Sequence, residues 1–389
     1  MNESVCRWSG EIHETIRRIV PEPVFIRGLE VVSVGGTLLA RARADDGRGG
    51  YVPANARIPD TLSLVERRVF PFFLGRDARE IAWLAELCFA SNSTYKYAGV
   101  GLWNAIAHVE LAVLDLLGRA AGVPVADFFG GRRRERIPVY LSSTTRASDP
   151  ADELEHIAAR LDETGTRACK FKIGGRMSGD EEASQDRSRL LIEQARARLG
   201  DGVAIYVDAN SSYSVDEAVE VGRRLETHGI DLFEEPVHFQ DFEGTKRVAD
   251  ALEIDVSGGE QCSDEYLFRW MFDHHGVDVV QPDVCYAGGL SRTLRIARLA
   301  EAAGHPVTPH SPRTGFGQAP NLHLVSLLDR PGAYHEHHIR TTERHGWVDP
   351  EPDVRDGALA VPNGPGLGLE YDRAAIEAAD VILHREERA

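Results

Sequence analysis

The chain has 389 residues, 42% of them hydrophobic and 27% charged, a balance that fits a folded globular protein and excludes a disordered or fibrous one. Lys plus Arg number 44 and Asp plus Glu 61, so the formal net charge is −17. Phosphate backbones and anionic lipid would repel such a chain, which argues against a nucleic-acid or membrane-surface partner.

At roughly 150 residues per domain the length predicts two to three domains, or two where one is a barrel. Cys6, Cys88, Cys169, Cys262 and Cys285 are scattered, with no C-x-x-C pair. That pattern opposes a disulfide framework or a zinc ribbon and fits a reducing, cytoplasmic setting. Met1 to Val20 carries Glu3, Glu11 and Glu14 and has no continuous apolar core, so it does not read as a secretory signal. No 18-residue apolar stretch is free of charge, so no transmembrane helix is expected.

In chain order, Val24–Val34 and Thr37–Ala44 read as strands joined at Gly35-Gly36, a hairpin turn signal. Two helical stretches follow. The clearer is Leu102–Leu117, where Leu102, Ile106, Val109, Val113 and Leu116 recur at helical spacing. Residues 1–136 therefore read as a small α+β domain.

From there to about residue 345 the pattern becomes short apolar runs, each followed by an amphipathic helical segment and a glycine, the order of βα units. Asp149-Pro150 reads as a helix start. Ser214 with Glu217 reads as a capping box, and Gly229 as the C-terminal cap of that helix. The predicted strands are Ile137–Leu141, Ala168–Ile173, Ala204–Asp208, Asp231–Glu234, Asp255–Gly259, Val277–Asp283, Pro306–His310 and Ala333–Glu336, the eight that a closed barrel needs. Beyond Arg340 the pattern stops. Residues 346–389 hold a strand-like run near Leu359–Val361 and a helical run from Arg373 to about Leu383, expected to pack back on the first domain.

Lys172, Asp208, Glu234, Glu260, Asp283, His310 and Glu336 fall at the carboxyl ends of successive predicted strands, 36, 26, 26, 23, 27 and 26 residues apart. In a (β/α)₈-type barrel those ends converge on one face, where that fold builds its active sites. Three carboxylates, Asp208, Glu234 and Glu260, on adjacent strand ends would repel one another unless a cation lay between them. Oxygen-only ligation suits Mg²⁺; the alternative is pairing with arginines of the helix layer.

Lys170 and Lys172 alternate with Phe171, so both ammonium groups share a face and are expected to depress each other's pKa, which would make one a usable base. Asp283 would orient the imidazole of His310 from the neighbouring strand. Glu336 would donate a hydrogen bond if its setting keeps it protonated. His335, His337 and His338 alternate faces and cannot all meet one ion. The glycine-rich pieces at Gly315 and Gly364 read as turns, lacking the spacing and lysine of nucleotide loops. Together these groups suit removal of a weakly acidic proton beside a carboxylate.

At this point Lys170-Phe171-Lys172, Asp208-Ala209-Asn210, Phe233-Glu234-Glu235-Pro236, Gly258-Gly259-Glu260, Gln281-Pro282-Asp283 and Pro309-His310 together resemble the mandelate racemase subgroup of the enolase superfamily. The base-plus-Mg²⁺ logic of such sites is a known pattern. The resemblance spans nearly the whole chain and implies an α/β architecture: a modified TIM barrel, (β/α)₇β, with an α+β N-terminal capping domain completed by the C-terminal segment. It implies Mg²⁺ on Asp208, Glu234 and Glu260, with Glu234 rather than Glu235 as ligand. Lys172, tuned by Lys170, would be one acid/base and the His310–Asp283 dyad the other. Glu336 would be the electrophilic hydrogen-bond donor, and Asn210 would help order the site.

The implied reaction is proton abstraction α to a carboxylate through an enediolate, with dehydration of an acid sugar to a 2-keto-3-deoxy acid preferred by analogy. Racemisation or epimerisation of a 2-hydroxy or amino acid derivative, and a non-catalytic barrel binding protein, stay open. A small-molecule carboxylate partner and a homo-oligomer are expected. Because Gly35-Gly36 replaces the long mobile loop of many relatives, specificity is expected from residues 51–57, from residues 95–97 or from a neighbouring subunit.

Overall fold

The computed structural model describes residues 3–177, 185–341 and 344–387. A four-stranded antiparallel sheet forms from Ile26–Val34, Thr37–Ala44, Gly49–Pro53 and the tail strand Asp380–Glu386, which pairs with Ile26–Val34. Gly35 and Gly36 both have positive φ, 56° and 86°, as the two-residue hairpin turn that matches strand twist requires. The long helix Val100–Ala121 packs on this sheet, and its middle is buried all round. It is long and apolar enough to cross a membrane, but here it is the core helix of the cap. At Gly50 a Cβ would lie 2.2 Å from the Ala112 carbonyl oxygen, so only glycine lets strand and helix approach this closely.

Seven strands of the barrel pair in parallel from Arg136–Ser142 through Ala168–Lys172, Ala204–Asp208, Leu232–Glu234, Asp255–Gly258 and Val279–Val280, with His335–His338 pairing back on the first. The seventh position is a single residue: Val307 bridges Val280 on one side and Pro331 on the other, which closes the ring. The sixth and seventh strands are thus much shorter than predicted. Pro282 and Pro309 lack the N–H that longer ladders would use.

The tail corrects one expectation. The helix that starts at Arg373 ends at Glu377, and the predicted helical residues 381–383 belong to the strand Asp380–Glu386. Val381 and Ile382 are β-branched and complete the edge of the cap sheet. Ala358–Ala360 pairs antiparallel with the start of the first barrel strand rather than with the cap. Two elements were not foreseen: the third cap strand, Gly49–Pro53, and the helix Glu3–Ile19, whose buried Val5, Ile12 and Ile16 lie at helical spacing.

Cap and barrel are joined by buried acids on the long cap helix. Asp115 accepts from the N–H of Leu367 at 2.6 Å, the N–H of Tyr51 at 2.8 Å and Arg119 at 2.7 Å. Glu110 accepts from the N–H groups of Leu290 and Ser291 and from the Ser291 hydroxyl, at 3.0, 2.9 and 2.6 Å. It thereby caps the barrel helix Leu290–Ala302, whose own N-cap residue is Gly289. Glu110→Ala strands these donors and is expected to cost about 2–3 kcal/mol. A urea midpoint equal to wild type would contradict that role.

Burial pushes the imidazoles of His108 and His323 down to about 4 and that of His335 to about 3. The unfolded chain takes up protons near pH 6.5 while these folded groups stay neutral, so their contribution to stability is complete above pH 6.5 and falls as pH drops toward 4. The fall in unfolding midpoint between pH 7.5 and pH 5 is expected to be smaller in His323→Asn than in wild type, and an equal fall would contradict it.

Candidate active site

The strand-end residues converge as expected, but by two routes. Lys172, Asp208 and Glu234 are the last residues of their strands and pair side by side in the ladder. Glu260, Asp283 and His310 lie two or three residues beyond their shorter strands, in the following loops. Glu336 is the second residue of His335–His338, a strand that sits two residues later than predicted.

Carboxylate oxygens of Asp208, Glu234 and Glu260 lie within 4.8 Å of one another, and all three residues are buried. Asn210, in a left-handed conformation (φ 43°), donates its N–H to Asp208 at 2.8 Å and its side-chain amide at 3.2 Å. Arg146 donates to the Asn210 side-chain oxygen Oδ1 at 2.8 Å. Gln281 donates to Glu234 at 2.7 Å and Gln261 to Glu260 at 2.9 Å.

Lys170 is fully buried, with Nζ 2.7 and 2.8 Å from the two Glu234 oxygens, 3.0 Å from Glu336 and 3.8 Å from Asp208. Burial alone would lower its pKa, but Glu234 and then Glu336 raise it well above the usual lysine range. The expectation that the two lysines depress each other therefore fails for Lys170, which is a fixed cation under the site. Lys172 hydrogen-bonds Asp208 and faces the cavity.

Burial would raise Asp208, yet Lys172 and Lys170 hold it below the ordinary carboxylate range. Glu234 moves the other way, pushed up to about 8 by burial and by Asp208, Glu260 and Glu336, which outweigh Lys170. Glu235 is pushed well above the usual range by burial and by Glu260, and it lines the cavity without joining the three-carboxylate group. Asp208, Glu234 and Glu260 crowd one another so closely that Glu234 is held in its protonated form; a hard divalent cation, which this all-oxygen donor set fits, would let all three ionise together.

His310 Nδ1 lies 2.9 Å from Asp283, whose other oxygen accepts from the N–H groups of Cys285 and Tyr286. Its Nε2 is 3.5 Å from Glu260 and 3.9 Å from Glu336. Burial works to lower its pKa, but Glu260, the Asp283 hydrogen bond and Glu336 bring it up to about 9. Glu336 departs from the expected protonated form. Against its burial, Lys170, His310 and Lys172 hold it down to about 2, and it accepts from the Ser311 N–H at 2.8 Å.

A cavity of about 360 Å³ is lined by Lys172 and Asn210 on one side and His310 on the other, with Glu260 and Glu336 between. Arg57, Arg176, Tyr286 and Phe239 complete its wall. Of the two stretches that could set specificity, residues 53–57 reach the site. Their loop is held to the long cap helix by Asn55, which donates to Asn104 at 2.6 Å and to His108 at 3.2 Å. Tyr95 and Tyr97 stay exposed and line no part of it. Among the described residues, His335, His337 and His338 form no metal cluster.

Residues 152–375 match the model of the family "Enolase C-terminal domain-like". The chain is 30% identical over 305 residues to the arabinonate dehydratase of Saccharolobus solfataricus, covering 78% of this chain and 79% of that protein. It is 26% identical over 390 residues to the D-gluconate dehydratase of Thermoproteus tenax, covering 95% and 75%. A structure of the mandelate racemase/muconate lactonizing protein from Paracoccus denitrificans, complexed with magnesium, superposes with a TM-score of 0.84 at 28% identity, covering 94% of this chain and all of that one.

Proposed function

Because the chain belongs to the enolase superfamily, in its mandelate racemase subgroup, we propose that it is a hydro-lyase that converts an acid sugar to a 2-keto-3-deoxy acid. The observation that carries this reading is one cavity lined by both Lys172 and His310, the latter held through Nδ1 by Asp283. The two sugar-acid dehydratase relatives support it.

Asp208, Glu234 and Glu260 would hold Mg²⁺, which when bound supplies positive charge against the substrate carboxylate and makes the neighbouring C–H more acidic. Lys172 takes that α-proton at Nζ. His310, fixed through Nδ1 by Asp283, delivers a proton from Nε2 to the hydroxyl leaving the β-carbon. The enol left behind becomes the keto acid by giving up its 2-hydroxyl proton and taking a proton from solvent at C3, while Lys172 and His310 return to their starting forms by exchange with solvent, so the net change is loss of one water. With Lys172 placed as the base, His310 is the cavity group assigned the acid role. Lys170 and Glu336 anchor the floor, and Asn210 keeps Asp208 oriented.

Chelation tests the metal assignment. EDTA is expected to lower keto-acid formation by at least about a hundredfold, with Mg²⁺ restoring it and Glu260→Gln blocking the restoration. Keto-acid formation unaffected by EDTA would overturn the assignment. A protein that forms no keto acid and exchanges no α-proton with Mg²⁺ present would be a binding protein instead.

A further inference from the structure

The cavity between Lys172 and His310 opens into a second chamber of about 470 Å³, and the two share Arg57, Tyr286, His310 and Pro312 as a common wall. His310 therefore stands at the junction. Three guanidinium groups line the second chamber: Arg57 from the loop after the third cap strand, Arg313 just past His310, and Arg340 just past the eighth barrel strand. Asp283 is the one carboxylate on that wall among the described residues, and it already serves His310 and Arg313, the latter at 3.7 Å.

Arg57 lies on the shared wall with Tyr286, and Arg340 Nε reaches His338 at 3.3 Å. Neither meets a carboxylate among the described residues. By contrast, Arg198 pairs with Glu155, Arg43 with Glu386 and Arg27 with Glu387. The second chamber is thus a pocket of excess positive charge in a protein of net charge −17. Field lines from such a recess favour an anion.

The order of groups along the cavity supplies the rest. With the reacting carboxylate at the acidic triad, the α-carbon at Lys172 and the leaving hydroxyl at His310, the remaining carbons run past His310 into the second chamber. A sugar monoacid would end there in a neutral hydroxymethyl group. A diacid ends in a planar carboxylate, which guanidinium forks match with charge-assisted hydrogen bonds. We propose that Arg57 and Arg340 bind a second, distal carboxylate, so that the preferred substrate is a sugar diacid. This inference rests on the dehydratase reading above.

The test compares six-carbon diacids with the monoacids of the same configuration, differing only at C6, in Mg²⁺ buffer, together with the 6-phosphates of those monoacids. Wild type is expected to favour a diacid by at least about a hundredfold in kcat/KM, since a site that pairs a charged group discriminates against its absence. Arg340→Gln is expected to shrink that preference by about tenfold or more, through KM, and Arg340→Lys to restore part of it. Monoacids dehydrated as well as diacids, a preference for the 6-phosphates, or an Arg340→Gln ratio equal to wild type would overturn the distal-carboxylate site while leaving the dehydratase reading standing. Failure of all three substrate sets to yield keto acid would sink the dehydratase reading itself, and this one with it.

Discussion

Lys172→Met is expected to lower kcat by about a thousandfold while leaving the fold and Mg²⁺ binding intact. Methionine keeps an unbranched stem of similar volume and deletes only the ammonium group. Asp208 is not stranded by the loss, because Lys170 remains 3.8 Å away and the Asn210 N–H and amide still donate to it. A structural lysine would show itself in the unfolding midpoint and in Mg²⁺ affinity by calorimetry. A proton-transferring lysine shows itself in kcat alone. Turnover within tenfold of wild type would remove Lys172 from the mechanism.

His310→Asn separates the two halves of the reaction. Keto-acid formation is expected to fall by about a thousandfold, since the group assigned to protonate the leaving hydroxyl is gone. Exchange of the α-proton with solvent deuterium is expected to continue, since Lys172 alone accomplishes it. The variant leaves Asp283 with Arg313 and two backbone N–H donors, so no buried charge is orphaned. Loss of exchange and dehydration together, with Mg²⁺ binding retained, would instead make His310 the group that takes the α-proton.

The positions of these side chains were legible because a βα repeat fixes which residue ends each strand, and polar residues at that spacing in a barrel have one place to converge. Their charge states were not. Whether Lys170 is a tuned base or a fixed cation, and whether Glu336 holds a proton, depends on distances of about 3 Å across the barrel floor that strand spacing does not encode. The spacing argument also overestimated the sixth and seventh strands, where barrel closure needs only Val280, Val307 and Pro331 to bridge. In the tail, Val381, Ile382 and Leu383 look equally apolar on a helix or a strand, and the open edge at Ile26–Val34 decides between them.

The cavity wall was the least legible part. Arg57, Arg176, Tyr286, Arg313 and Arg340 come from loops with no common period, and of these only Arg57 lay in a stretch already marked for specificity. No spacing signal marks the others, because the fold alone decides which loop side chains reach the wall.

The central claim is that a proton leaves the α-carbon and a hydroxyl leaves the β-carbon in one active site. Incubating the Mg²⁺-loaded enzyme with sugar diacids and monoacids in D₂O, and following the products by NMR, tests it most directly. The predicted result is a 2-keto-3-deoxy acid carrying solvent deuterium at C3. Deuterium at the α-carbon with no keto acid from any substrate would contradict the account and place the protein among racemases or epimerases.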